Sequence, residues 1–225
     1  MELLKQIMPN VVNLFPDLIK ACKDTLLMVF ISGTIASIIG IPLGVTLVVT
    51  REGNLLENRF INSFLGKIVN TFRSLPFVIL LTAIIPITRF IAGTTIGLKG
   101  AVIPLIFASS PFVARQVESA LLDIDPGVIE AAEAMGSSPF EIIYRVLLVE
   151  GLPGIIYALT ITIVSLIGFS AVAGTVGGGG LGDFAIRYGY QYYRTDVMIV
   201  ATIILLLIVN MVQGLGEYLL KKLSH

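Results

Sequence analysis

The stretch from Asp125 to Pro153, DPGVIEAAEAMGSSPFEIIYRVLLVEGLP, concentrates side chains whose type and spacing can do chemistry. That chemistry is hydrogen bonding at helix ends rather than bond making. Asp125 supplies the carboxylate of an N-cap, and Pro126 fits the first helical position, where a missing N–H costs little. Val128, Ile129, Ala131, Ala132 and Met135 fill a short helix, and Gly136 can take the positive φ that ends one. Ser138, Pro139 and Glu141 form a capping box with proline at N1, opening a second helix that runs toward Glu150. The spacing therefore predicts a helix-turn-helix over about 125–150 with its joint at Gly136, Ser137 and Ser138. Ala131, Ala132, Ala134 and Gly136 give it a small, smooth surface for a partner's groove. The flanked stretch Glu118 to Glu150 holds seven acidic residues, so it does not suit anionic lipid headgroups. It is either a docking surface or a solvated connection.

Other candidate sites are weaker. Gly177, Gly179 and Gly182 match G-x-G-x-x-G, but they follow a long apolar run with no strand before them, so the match does not point to a dinucleotide. No G-x-x-x-x-G-K-[ST] is present, so no P-loop can cradle ATP phosphates. The single histidine, His225, gives no basis for a zinc or histidine-based site. Cys22 stands alone and excludes an intrachain disulfide. No catalytic residue, metal or cofactor is expected, and the chain is not expected to be an enzyme.

The rest of the chain must hold this stretch in a membrane. Of 225 residues, 56% are hydrophobic and 13% charged, with a mean hydropathy of +0.94; a soluble domain carries about 25% charge. We expect one all-α integral membrane domain over residues 1–225, with five transmembrane helices at about 25–50, 68–90, 96–116, 152–173 and 197–217. Zero net charge gives no case for nucleic acid. Met1 to Asp24 has two prolines and no apolar run of a cleavable leader; it suits the membrane interface, with the first span as an uncleaved signal. Asp24 is placed to cap that span, and Gly33, Gly40 and Gly44 fall near one face, letting another helix approach. Pro42 is expected to bend it.

Arg51 to Arg73 reads as one amphipathic helix running into the second span. The uncharged runs Ser74–Thr88 and Gly100–Ala114 are short for a crossing and must recruit flanking residues, with Arg73, Arg89 and Arg115 snorkelling at the edges. Gly174 to Gly182 predicts a compact loop, and Tyr188, Tyr190, Tyr192 and Tyr193 an interfacial belt. Five spans put the termini on opposite sides. Eight lysines and arginines fall on one side and seven on the other, which does not orient the chain. The middles of the spans carry no Asp, Glu, Lys or Arg, which weighs against an ion-driven secondary carrier.

Glu130-Ala131-Ala132, then Gly136, then Leu152-Pro153 resemble at this spacing the EAA loop of bacterial ATP-binding-cassette import permeases. Phe72-Arg73-Ser74-Leu75-Pro76-Phe77, Ser110-Pro111-Phe112-Val113-Ala114-Arg115 and Gly168-Phe169-Ser170-Ala171 through Gly179-Gly180-Leu181-Gly182 resemble the methionine-import subfamily. The resemblance runs from about residue 25 to the end. It implies a permease in the bacterial inner membrane that imports methionine or a related small apolar amino acid. It implies a pair of these chains, an ATPase subunit dimer that hydrolyses the ATP, an extracytoplasmic substrate-binding lipoprotein and surrounding lipid. Glu130, Ala131, Ala132, Gly136, Ser137, Ser138 and Pro153 would dock the ATPase from the cytoplasm. That leaves the N-terminus outside and Lys221-Lys222 inside. Phe169, Ser170 and Val172 would lie at the pore or gate; Val172 stands where relatives can carry methionine. The alternatives are a permease of this class for another amino acid or small solute, an ion-driven carrier, and a membrane scaffold that moves nothing.

Overall fold

The structure is a computed structural model that describes residues 8–223; Lys5 and His225 lie outside them. Every regular element among the described residues is helical. In order these are α1 (Pro9–Asn13), α2 (Phe15–Val49), α3 (Arg59–Ser74), α4 (Phe77–Ala83), α5 (Ile85–Ala92), α6 (Gly97–Leu122), α7 (Pro126–Ala134) and α8 (Pro139–Ile142). A π turn (Ile143–Leu147), α9 (Leu148–Glu150), α10 (Leu152–Thr175), α11 (Gly180–Phe184), a second π segment (Ala185–Gln191) and α12 (Thr195–Leu223) follow. Helices α2, α6, α10 and α12 are long and apolar enough to cross a membrane, and the bent pair α3–α4 brings the number to as many as five.

Several boundaries differ from expectation, each for a local reason. Pro16 lies in the first turn of α2, where proline is tolerated, so it starts the helix instead of breaking it. Asp24 is therefore inside α2 and caps nothing. The amphipathic helix starts at Arg59 rather than Arg51, because the Asn58 side chain accepts the Ile61 N–H at 3.1 Å. The expected continuous span at 68–90 is three pieces. Pro76 holds the preceding Leu75 in an extended conformation, and the chain turns by 105° into α4. A second break at Ile84 precedes Pro86, in the first turn of α5.

The bundle centres on α2 against α6. A Cβ on Gly40 would lie 2.5 Å from Val113 Cβ and 2.8 Å from the Ser110 carbonyl, and one on Gly44 would lie 2.6 Å from the Ala114 carbonyl. Both glycines thus let two backbones meet, as small residues do between membrane helices. Gly33 faces α10 instead, at an ordinary 3.4 Å from Leu166 Cδ1. Val48, Val113, Val117, Leu147 and Ile155 form the core at the end that carries α7 and α8. Met28, Leu105, Leu166 and Ala173 fill the other half.

The glycine run is a packing device. The expected loop at 174–182 shrinks, because α10 continues to Thr175 and Gly180 to Gly182 are already in α11. A Cβ on Gly174 would strike the backbone of Asp183 and Gly182, and one on Gly182 the backbone of Ala171. Gly180, at φ +78°, lies under Thr25 and Met28, and the Leu181 N–H donates to Thr25 Oγ1 at 2.8 Å. So α10, α11 and α2 lock together at the end opposite α7. The tyrosine-rich stretch begins in the second π segment: Tyr188 packs on Phe184 and Tyr192, while Tyr190, Tyr192 and Tyr193 are largely exposed.

Candidate docking surface and translocation face

The connection between α6 and α10 folds by its own capping chemistry. Asp125 accepts the Gly127 N–H at 2.8 Å and starts α7. At the other end the Gly136 N–H donates to the Glu133 carbonyl at 2.9 Å and the Ser137 N–H to that of Ala132 at 3.2 Å. These bonds require the left-handed backbone of Gly136, φ +80°. Ser138 then opens α8 with both halves of a capping box: Ser138 Oγ accepts the Glu141 N–H, and Glu141 accepts the Ser138 N–H at 3.0 Å. The backbone hydrogen bond from Ser138, followed by the one from its hydroxyl, holds the Glu141 carboxyl below the usual glutamate range. Helix α8 does not run unbroken to Glu150, because residues 143–147 widen into a π turn.

The surface of this pair differs from the expected one. Glu130, Ala131, Gly136 and Ser138 are exposed, and Ser137 and Pro153 are half-buried. Ala132 is 3% exposed, so it seats α7 on its own chain and offers nothing to a partner. The most exposed apolar groups are Met135, Phe140 and Tyr144, at 79%, 66% and 68%, none of them among the residues expected at this surface. A signal existed. Phe140 and Tyr144 are four apart, so they share a face, and they stay exposed beside the strip of Ile143 and Leu147 that is buried in the core. A large apolar residue left exposed on an amphipathic helix is a contact in search of a partner. A groove of about 430 Å³ borders the pair, between the end of α6 and the start of α10, with Asp123, Asp125 and Glu150 in its wall.

A second network ties α3 to α6 nearby. Arg115 donates to Glu118 at 2.5 Å and, through two nitrogens, to Asn70 Oδ1 at 2.9 and 3.2 Å. Arg115 is 25% exposed, so it braces two helices rather than simply snorkelling.

The pore candidates separate by helix geometry. On α10, Tyr157, Gly168 and Thr175 are exposed, and Ile161, Val164 and Val172 fall along the same line. Val172 falls on that line but is half-buried, packed against the core of Met28, Leu105 and Leu166. Ser170 does not fall on it: it is 2% exposed and donates to the Ile167 carbonyl of its own helix at 2.7 Å. Phe169 is stacked on Phe77 of α4, centroids 4.9 Å apart, so it ties α10 to the broken span. Gly168 lies on the exposed line, with open space where a Cβ would point. Among the described residues no group of three or more His, Cys, Asp or Glu could hold a metal ion.

Residues 36–225 match the family described as binding-protein-dependent transport system inner membrane component. The chain belongs to that family. This transport component is 49% identical over 208 residues, 92% of either chain, to the probable D-methionine transport system permease protein MetI of Vibrio cholerae. It is 49% identical over 157 residues, 70% of this chain and 72% of the relative, to the D-methionine transport system permease protein MetI of Escherichia coli K12. Among solved structures it matches the inward-facing MetNI methionine ABC transporter with a TM-score of 0.92 and 44% identity, covering 95% of this chain and 99% of the other. The transport component therefore has an ABC-transporter permease fold and is a multi-pass inner-membrane protein. An amino acid ABC transporter structure at 20% identity, TM-score 0.79, shares the fold.

Proposed function

We propose that this chain is the membrane-spanning subunit of an ATP-binding-cassette importer that moves methionine, or a closely related small apolar amino acid, into the cytoplasm. The observation that carries this reading is the 49% identity to a named D-methionine permease across 92% of both chains. The partners follow from the same kinship: a second copy, an ATPase dimer, and a binding protein that delivers the ligand from outside. The chain hydrolyses no ATP itself, consistent with its lack of a P-loop.

The α7–α8 pair is the docking element, and it faces the cytoplasm; the N-terminus is then outside. Met135, Phe140 and Tyr144 are the apolar anchors for a groove on the ATPase, with Glu130 and Ser138 at their edge. The pair hangs between two spans, α6 before it and α10 after it. A push on it must move both, and packed helices move between discrete arrangements rather than deforming. The breaks at Leu75-Pro76 and Ile84 supply the points of flexure beside the open face of α10.

The test uses the chain assembled with its ATPase and binding protein in liposomes. Methionine presented by the binding protein should stimulate ATP hydrolysis and appear inside the vesicles, while lysine and glutamate should do neither. Uptake by this chain alone, driven by an ion gradient, would overturn the reading in favour of a secondary carrier.

A further inference from the structure

Helix α12 is the long span that its own chain covers least: 11% of its apolar stretch is buried, against 33% for α2, 50% for α6 and 33% for α10. The covered face is Ala201, Leu205, Ile208, Val212 and Gly216, which follow helical spacing. The exposed remainder divides into two sectors. Leu207, Met211, Leu215 and Tyr218 form one, predominantly apolar and suited to acyl chains. Thr202, Leu206, Asn210, Gln213 and Glu217 form the other, again at helical spacing, and all five are exposed.

This second sector does not suit lipid. The uncharged run Val197–Gly216 sets the hydrocarbon depth of α12. Asn210 lies seven residues before Glu217, about 10 Å inside that end of a layer about 30 Å thick. Its side chain is too short to reach the headgroups, as a lysine or arginine would. An amide turned to hydrocarbon leaves its donors and its acceptor without partners, which is costly. Gly214 follows one turn later, and a Cβ there would meet no atom within 4 Å. It leaves room for another backbone, as Gly40 and Gly44 do where α2 meets α6. The sector also turns away from the exposed line of α10. Gly216 rests on Thr160 of that helix, whereas Asn210 is about 160° around α12 from Val212 on the covered face.

We propose that the Thr202–Glu217 sector of α12 is the surface on which two copies of this chain meet within the membrane, with the Asn210 amide hydrogen-bonded to the other copy. An amide both donates and accepts, so an identical amide or a backbone carbonyl of the second copy satisfies it. In a two-fold pair each such contact is made twice. The sector of Leu207 and Met211 then faces lipid. This rests on the second copy in the importer reading above.

The test uses the complete transporter in nanodiscs. The photo-crosslinking residue benzoylphenylalanine replaces Leu206 or Asn210 in one pair of variants, and Leu207 or Met211 in another. Illumination at 206 and 210 should yield a chain dimer at twice the 24.2 kDa of one chain. At 207 and 211 it should yield lipid adducts and a several-fold weaker dimer band. Position 206 exchanges one large apolar group for another, so it decides the matter where the variant at 210 does not assemble. No chain dimer from 206, or dimers from 207 and 211 as strong as those from 206 and 210, would overturn the surface. Ready labelling of Asn210→Cys by a membrane-impermeant thiol reagent, in a Cys22→Ser background, would place the sector on a water path and overturn it too. Native mass spectrometry of the wild-type complex counts the copies. One copy would overturn the pairing in the importer reading, whereas two copies without these adducts would sink the α12 surface alone.

Discussion

Gly136 is the sharpest place to perturb the docking element. It alone between Asp125 and Pro153 has a positive φ, +80°, and a Cβ added there would meet no atom within 4 Å. Any cost of substitution is therefore a backbone cost, with no steric share. Holding an L-residue in the left-handed region costs about 1–2 kcal/mol, less for asparagine, and toward the upper end of about 1–3 kcal/mol for a β-branched residue. The chain can escape by relaxing φ, but that gives up the hydrogen bonds from the Gly136 and Ser137 N–H groups. Each ~1.4 kcal/mol is a factor of ten in population. The native turn should thus be depleted a few-fold in Gly136→Asn, about tenfold in Gly136→Ala and more in Gly136→Val. The assay is amino acid imported per ATP hydrolysed, in liposomes with the complete transporter. Coupling should fall in that order while membrane insertion stays normal. Wild-type coupling in Gly136→Val would refute the docking role. Alanine proving worse than valine would refute the backbone argument.

Two further outcomes follow from the packing and the caps. Gly40→Ala should destabilise the purified chain by about 1–3 kcal/mol, because its Cβ would lie 2.5 Å from Val113 Cβ; Gly33→Ala, at 3.4 Å from Leu166, should be neutral or up to about 1 kcal/mol stabilising. Thermal melts in detergent check this, and equal losses would contradict the helix crossing described. Glu141 has a lowered pKa in the folded chain. Its capping bond is therefore fully present above the ordinary glutamate range and lost as pH falls through the lowered value. Carboxyl ¹³C titration should show a depressed midpoint that Ser138→Ala raises only part-way, since the backbone donor remains; no movement would contradict the capping box.

Local chemistry was the legible part of the sequence. Asp125, Gly136, Ser138 and Glu141 act through neighbours within a few residues, so their roles could be read without the fold. Gly40 and Gly44 were legible as a face, though not which helix they meet. What escaped reading depends on distant partners. The 105° turn at Pro76 was hidden because a single proline is equally compatible with a kink inside a continuous span. Ala132 and Ser170 looked available by residue type, and only packing shows that each faces its own chain. The glycine run looked like a loop because helix propensity counts glycine as a breaker, whereas backbone-on-backbone contact of α10 with α11 demands it.

The close crossing of α2 and α6 also sets a gearing. Helix α6 has 26 residues, and its closest approach to α2, Val113 against Gly40, is off-centre. At 1.5 Å per residue, Val113 lies about 24 Å from the Gly97 end and about 14 Å from the Leu122 end. A rod rocking on that contact would turn a displacement at the α7 end into one nearly twice as large, and opposite in sense, at the far end. That end is joined to the glycine run, where the Gly97 N–H donates to the Gly177 carbonyl at 2.8 Å. A short stroke on one side of the membrane would thus become a long one on the other, with the ratio written in the position of a single glycine.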